Sequence, residues 1–350
     1  MAQSDDLIFM HRCLDLARRA EGNTSPNPLV GAVVVHDGRI IGECYHLKAG
    51  EPHAEVNAIN AVADKSMLPL STLYVSLEPC SHHGRTPPCT DLIIRSGIPR
   101  VIIGTADTSP KVAGKGIEKL RQAGIEVVCG VAEEECRRIN RRFFTWHERQ
   151  RPYVILKWAR SADGFIDAVR KPGEAAEPHW ITGRTERILV HRWRAAEDAI
   201  LAGGTTIRTD NPSLDVRLWQ GKNPLKVIVS RSGNIDQGAN VFKGNTQVIL
   251  FTRNEKITLP GVNVIQLGED QNFAGDVLRA LHAMGIQSLI VEGGAFIIRS
   301  FLGSDLWDEA RRFTGKQSFG GGVPDPFPGF MSGHSVQFEK SILEIMYHFR

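Results

Sequence analysis

The chain has 350 residues, with 42 Lys and Arg against 39 Asp and Glu, a formal net charge of +3, 42% hydrophobic residues and 23% charged residues. That length predicts about two domains of ~150 residues, and the near-average composition excludes a disordered or fibrous chain. No strongly basic stripe and no apolar run approaching ~18 residues is present, so neither a nucleic acid nor a membrane is an expected partner.

In chain order, Leu7, Met10, Leu14 and Ala17 recur at helical spacing before a stop at Gly22. The start is polar and acidic, without the basic and apolar regions of a signal peptide, which predicts a cytoplasmic protein. Leu29 to Val35 reads as a strand, His36-Asp37-Gly38 as a turn and Arg39 to Tyr45 as the partner strand. Helices are predicted over His53 to Ala63, Thr90 to Ser96 and Val112 to Ala123, and strands over Thr72 to Leu77, Val101 to Gly104 and Ile125 to Cys129. One charged helix from Glu133 to about His147 closes a layered α/β domain, residues 1–147. The polar segment from His147 to Pro152 reads as a linker to a second α/β domain, residues 151–350. All six cysteines precede residue 137 and all six tryptophans lie from Trp146 onward, which supports two separate units.

In the second domain, Tyr153 to Trp158, Ala199 to Leu201, Lys226 to Val229, Gln247 to Phe251 and Ser288 to Val291 read as strands. Arg184 to Arg194, Phe273 to Met284 and Ala295 to Phe301 read as helices, and the stretch from Gly320 to Gly329 reads as a loop. No Gly-x-Gly-x-x-Gly joins a strand to a helix, so an ordinary dinucleotide-binding domain is not expected. Glu292-Gly293-Gly294 before a helix would let backbone N–H groups approach a phosphate, although paired glycines also occur in plain turns.

The densest chemistry lies in His53-Ala54-Glu55 and in Glu78-Pro79-Cys80, with Cys89 at the start of a helix. One imidazole and two thiolates form a zinc ligand set that leaves a fourth position for water. Glu55, two residues from His53, can reach that water and move its proton. His-x-Glu followed by Pro-Cys-x-x-Cys is the pattern of zinc nucleobase deaminases. Here eight residues separate Cys80 and Cys89, so by spacing alone His82 or His83 could complete a closed, structural site. Cys13, Cys44, Cys129 and Cys136 have no partner at ligand spacing and read as packing residues.

The stretches Gly50-Glu-Pro-His-Ala-Glu55, Leu77-Glu-Pro-Cys80 through Cys89, Pro26-Asn-Pro-Leu-Val-Gly31 and Val112-Ala-Gly-Lys-Gly116 resemble the deaminase domain of the bifunctional riboflavin-biosynthesis deaminase/reductase family. That family carries the same long loop between the two cysteines. The resemblance implies a cytidine-deaminase-like three-layer domain with one Zn2+ on His53, Cys80 and Cys89, Glu55 as proton shuttle, and Asn27, His46 and Asp107 facing the pyrimidine. The family's Asp-Pro-Asn-Pro stands here as Asp107-Thr-Ser-Pro110, with Ser109 in place of Asn.

Lys157, Ser161-Ala-Asp-Gly164, Trp180-Ile-Thr182, Arg194, Thr205 to Leu214 and Val291 to Gly294 occur in the order of the family's reductase domain. The resemblance implies a dihydrofolate-reductase-like α/β fold that uses NADPH. Ala159, Trp180, Thr206, Asp210 and the run Gly294, Ala295, Phe296, Ile297, Ile298, Arg299 and Ser300 are then expected on NADPH. Lys157, Arg194, Leu214, Arg217 and Glu292 are expected on a small phosphoribosyl pyrimidine substrate, in a homo-oligomer. The family's Gly-Glu-Ser is drawn out here as Gly173 to His179. Two other readings share the zinc ligands: a nucleoside or nucleic-acid deaminase with an unrelated second domain, and a non-catalytic zinc module in which Glu55 is dispensable.

Overall fold

Alternation along one short strand sets the layers of the first half: Ala32 and Val34 are buried on one face, Val33 and Val35 on the other. The computed structural model describes residues 4–82, 87–109, 112–268 and 273–348, and the chain divides into two units, Met1–Gln150 and Arg151–Arg350. The first unit contains strands β1 (Gly31–His36), β2 (Arg39–Tyr45), β3 (Thr72–Leu77), β4 (Arg100–Thr105) and β5 (Glu126–Cys129). Its helices are α1 (Ser4–Arg18), α2 (Ala54–Ala61), α3 (Cys89–Arg95), α4 (Lys115–Gln122), α5 (Glu133–Ile139) and α6 (Arg141–Arg149).

The sheet runs β2-β1-β3-β4-β5, with β1 antiparallel to both neighbours and β3, β4 and β5 parallel. Met10, Cys13 and Leu14 of α1 and Cys136 of α5 pack on the Val33 face. Ala54, Ala58 and Ile59 of α2, Ile93 of α3 and Leu120 of α4 cover the Ala32 face. Leu7 stays on the solvent side of α1. α1 lies so close to β1 that a Cβ on Gly31 would fall 2.0 Å from the Cys13 carbonyl oxygen. Gly31→Ala is therefore expected to lower the stability of this unit by about 1–3 kcal/mol, read as a fall in the urea midpoint at unchanged slope.

Three expectations for this unit need correction. The helix from Glu133 breaks at Asn140, whose side chain accepts from Leu29 N–H at 2.7 Å and donates to Leu29 C=O at 2.9 Å. The segment read as a linker does hold the division between the units, after Gln150, but it is ordered on both sides of it: α6 continues to Arg149, and Arg151 is buried in a two-pronged pair with Asp308, at 2.5 and 2.7 Å. Among the cysteines read as packing residues, Cys13 and Cys136 are buried and Cys44 is half-buried, but Cys129 is exposed.

The second unit contains strands β6 (Tyr153–Arg160), β7 (Phe165–Ala168), β8 (Ala199–Gly203), β9 (Leu225–Val229), β10 (Val248–Thr252) and β11 (Val262–Gln266). Strands β12 (Ser288–Val291), β13 (Glu309–Gly315), β14 (Gly322–Pro324), β15 (His334–Gln337) and β16 (Ser341–Tyr347) complete it, with helices α7 (Arg184–Ala196), α8 (Gly204–Asp210), α9 (Phe273–Ala283) and α10 (Ala295–Gly303). The main sheet runs β11-β10-β9-β8-β12-β6-β13-β16-β15, parallel from β11 to β13 and antiparallel at the β16 and β15 end. Its central strand β6 buries Val154 and Leu156 on the α9 and α10 face and Tyr153 and Ile155 on the opposite face. Such two-sided burial explains its continuous apolar run.

β7 and β14 pair apart from the main sheet. The stretch from Gly320 to Gly329 is therefore not a plain loop: it supplies β14 and the buried Asp325, which accepts from Trp158 Nε1 and the Arg160 guanidinium, each at 3.0 Å. Among the described residues no helix is long and apolar enough to cross a membrane.

Candidate active site

His53 occupies the N-cap position of α2, with extended backbone and no side-chain cap hydrogen bond, which leaves its ring free for other partners. The chain leaves β3 through Glu78 and Pro79 to Cys80, and Cys89 opens α3. The ligand atoms of His53, Cys80 and Cys89 all lie within 4.8 Å of one another. His53 Nδ1 stands 3.3 Å from Cys89 Sγ and 3.6 Å from Cys80 Sγ. Zinc bonds of about 2.0–2.3 Å in a tetrahedron require ligand atoms roughly 3.5–3.8 Å apart, so the donor set fits zinc. Among the described residues no other such group forms. His82 is exposed and outside the cluster, and His83 lies outside the described residues.

The two thiols share polar contacts. The Cys89 thiol, the His53 ring and the Cys89 N–H, which donates to Cys80 Sγ at 3.4 Å, hold the Cys80 thiol well below the usual thiol range. Glu55 is 3% exposed, and burial raises its carboxyl above the usual range while the His53 ring opposes this. The carboxylate faces the Cys89 sulfur from the first turn of α2. An open three-ligand cluster with a buried carboxyl beside it has the parts for proton transfer at a metal.

His46 lies edge-on to His53, with ring centroids 5.4 Å apart. Its Nδ1 donates to the Pro52 carbonyl at 3.1 Å, which leaves Nε2 to accept from Asn27 Nδ2 at 3.0 Å. Burial lowers the His46 pKa and favours this neutral form. Asp107 is also buried, and its carboxyl is pushed up to about 6 by burial. One Asp107 oxygen accepts from Ser109 N–H at 2.6 Å, so Ser109 takes part through its backbone. Glu78, to which the sequence assigned no role, accepts from four backbone N–H groups: Asp107 at 3.1 Å, Gly114 at 3.0 Å, Gly116 at 2.8 Å and Ile117 at 3.2 Å.

The second unit holds a cleft of about 1220 Å³, walled by the ends of β6, β8 and β12, by α7, α8 and α10, and by β7 and β14. Lys157, Ala159, Trp180, Arg194, Thr206, Asp210, Leu214, Arg217 and Glu292 all line it. Gly294, Ala295, Phe296, Ile297 and Arg299 line it as well, but Ile298 and Ser300 do not. Ile298 is fully buried in the core, and the Ser300 hydroxyl donates to the Phe296 carbonyl at 2.8 Å. Thr206 Oγ1 accepts from Gly294 N–H at 3.0 Å, joining the start of α8 to the turn before α10. Asp210 pairs with Arg170 at 2.7 Å. Trp180 is 55% exposed, with the Arg187 guanidinium 4.6 Å from its ring centre.

At the base of the cleft, Arg194 grips Glu292 at 2.8 and 3.0 Å, and Lys157 reaches the same carboxylate at 3.3 Å. Burial alone would raise the Glu292 carboxyl, but the Arg194 and Lys157 charges and their hydrogen bonds hold it at about 2. Leu214 adopts φ +51, a strained conformation for a branched residue, and its side chain is buried, so it offers the cleft chiefly backbone. That segment is fixed by His191, which accepts from Arg217 N–H at 3.0 Å and is kept neutral, at about 4, by burial and by Arg194. One signal could have found His191: it precedes Arg194 by three residues, so the two share a helix face.

Residues 3–105 match the cytidine and deoxycytidylate deaminase zinc-binding region, and residues 152–341 match the RibD C-terminal domain. The chain is 42% identical to the riboflavin biosynthesis protein RibD of Aquifex aeolicus, over 92% of this chain and 90% of that protein. It is 44% identical to the protein of that name from Escherichia coli, over 87% and 86%. Among solved structures it is similar to a diaminohydroxyphosphoribosylaminopyrimidine deaminase/5-amino-6-(5-phosphoribosylamino)uracil reductase from Thermotoga maritima, with TM-score 0.86, 41% identity and 98% of each chain covered. Acinetobacter baumannii RibD matches with TM-score 0.86 and 30% identity over 99% of each chain.

Proposed function

This chain belongs to the riboflavin-biosynthesis family that joins a zinc deaminase region to a reductase domain, and on that premise we propose which of its residues carry each reaction. The enzyme is bifunctional, with a cytidine-deaminase-like fold followed by a dihydrofolate-reductase-like fold, and it works with Zn2+ and NADPH. We assign deamination to residues 1–147 and reduction to residues 151–350. The first substrate is 2,5-diamino-6-(5-phosphoribosylamino)pyrimidin-4-one, which gives ammonia and 5-amino-6-(5-phosphoribosylamino)uracil. The ribosyl group of that product is then reduced to ribityl. A cytoplasmic location suits the six free cysteines, and a homo-oligomeric state is part of the same reading.

The observation that carries the deaminase assignment is the His53, Cys80 and Cys89 cluster with Glu55 buried beside it. These three residues would hold the zinc, which when bound makes water a nucleophile near neutral pH. Glu55 takes a proton from the attacking water and delivers it to the leaving amino group; a carbon–oxygen bond forms as the carbon–nitrogen bond breaks. Its burial, which raises the carboxyl above the usual range, suits a group that must both accept and donate a proton. Asn27 and His46 orient the ring, and Asp107 faces its polar edge.

In the cleft, NADPH when bound supplies hydride for the sugar C1′. Ala159, Trp180, Thr206, Asp210 and the exposed face of α10, with Gly294 at its cap, are its wall. Arg194, Arg217 and Lys157 suit the phosphoribosyl group by charge, and Glu292 aims two of them. A deaminase with an unrelated second domain is not favoured, because residues 152–341 match the reductase family. In a coupled assay, ammonia release should precede NADPH oxidation. Chelation of zinc should abolish ammonia release yet leave oxidation intact when the deaminated intermediate is supplied. NADPH oxidation failing on that intermediate would refute the reductase assignment.

A further inference from the structure

We propose that Glu78 is a positioning residue that fastens the substrate-facing Asp107 stretch to the chain segment bearing Cys80; this rests on the deaminase assignment above. Glu78 is 4% exposed and leaves β3 two residues before Cys80. Each of its carboxylate oxygens takes two backbone donors: Oε2 those of Asp107 and Gly114, Oε1 those of Gly116 and Ile117. No side-chain cation is among these partners. The carboxylate is held by oriented peptide dipoles, one from Asp107 itself and three from the start of α4, where Gly114 is the N-cap and Gly116 and Ile117 lie in the first turn.

A second observation points the same way. A Cβ on Gly116 would fall 2.1 Å from the Pro79 carbonyl oxygen and 3.1 Å from Glu78 Oε1, so the start of α4 lies directly on the Glu78-Pro79 segment. The peptide that carries the metal ligand and the stretch that carries Asp107 and Ser109 thus share one anchor. The Val112-Ala-Gly-Lys-Gly116 motif gains a local reason: Gly114 has φ +77, and Gly116 must make this close approach. The spacing between Asp107 and the Cys80 segment is then set by one side chain that is not itself a member of the metal cluster.

Glu78→Gln preserves size but replaces one acceptor oxygen by an NH2 group, which faces two N–H donors whichever way the amide turns. The expected result is zinc retained at one per chain, the deaminase KM raised at least tenfold, and kcat changed by less than threefold. Gly116→Ala, which displaces the same contact without altering the carboxylate, should give the same split. Amide hydrogen exchange supplies a readout independent of turnover: Asp107, Gly114, Gly116 and Ile117 should exchange at least tenfold faster in Glu78→Gln, with β3 and β4 unchanged. Unchanged exchange at those amides overturns the proposal, as does loss of zinc or a kcat loss at unchanged KM. If the wild-type chain releases no ammonia from the phosphoribosyl pyrimidine, the deaminase assignment fails, and the exchange result still decides whether Glu78 fastens that stretch.

Discussion

Glu55→Gln should keep its zinc and lose about 10²–10⁴-fold in ammonia release, the range associated with a positioned general acid–base group. The amide matches the carboxylate in shape but cannot take up the proton of the attacking water. Because Glu55 lies outside the ligand cluster, zinc content measured on the same sample should equal that of the wild type. NADPH oxidation on supplied intermediate, which is assigned to the other unit, should be unaffected. Turnover within a few-fold of wild type would remove Glu55 from the proton path.

Glu292→Ala should destabilise the second unit by about 3–5 kcal/mol, because it leaves Arg194 and Lys157 in the cleft base without their shared counterion. NADPH oxidation should be lost with it. The pH dependence has a definite sign. The folded-state pKa is depressed to about 2, so the stability contributed by this carboxylate is full above its unfolded value of about 4.3 and is lost as pH falls from there through about 2. Urea midpoints of wild type and variant should therefore lie far apart at pH 6 and converge toward pH 2. A gap that stays constant over that window would show that packing, and not charge, holds the cleft base.

The metal cluster was legible because its ligands sit in two short motifs whose local geometry, a helix cap and a strand end, places them without distant help. The first sheet was legible because Val33 and its neighbours alternate or run apolar as buried strands do. The strands after residue 305 were not, since β13 reads Glu-Ala-Arg-Arg-Phe. Of its buried charges, Glu309 and Arg311 pair with each other, while Arg312 is answered by Asp325 and Glu344, which lie farther along the chain. The break at Asn140 had the same origin, a tertiary bond to Leu29. Residue runs carried over from a family hide helical rotation: Phe296 faces the cleft while Ile298, two positions on, faces the core.

The pairing of β7 with β14 has a consequence for synthesis. One wall of the cleft joins residues 165–168 to residues 322–324, and the central strand β6 waits for β12 and β13 to arrive on either side of it. The residues of the His53, Cys80 and Cys89 cluster all precede residue 90, the anchored stretch ends at Ile117, and the last packing partners of that unit, Phe143 and Phe144, precede residue 151. On the ribosome the first centre can be complete while most of the second unit is still untranslated, whereas the reductase cleft closes only near the end of translation. A chain terminated shortly before residue 322 would then keep the first activity and lose the second.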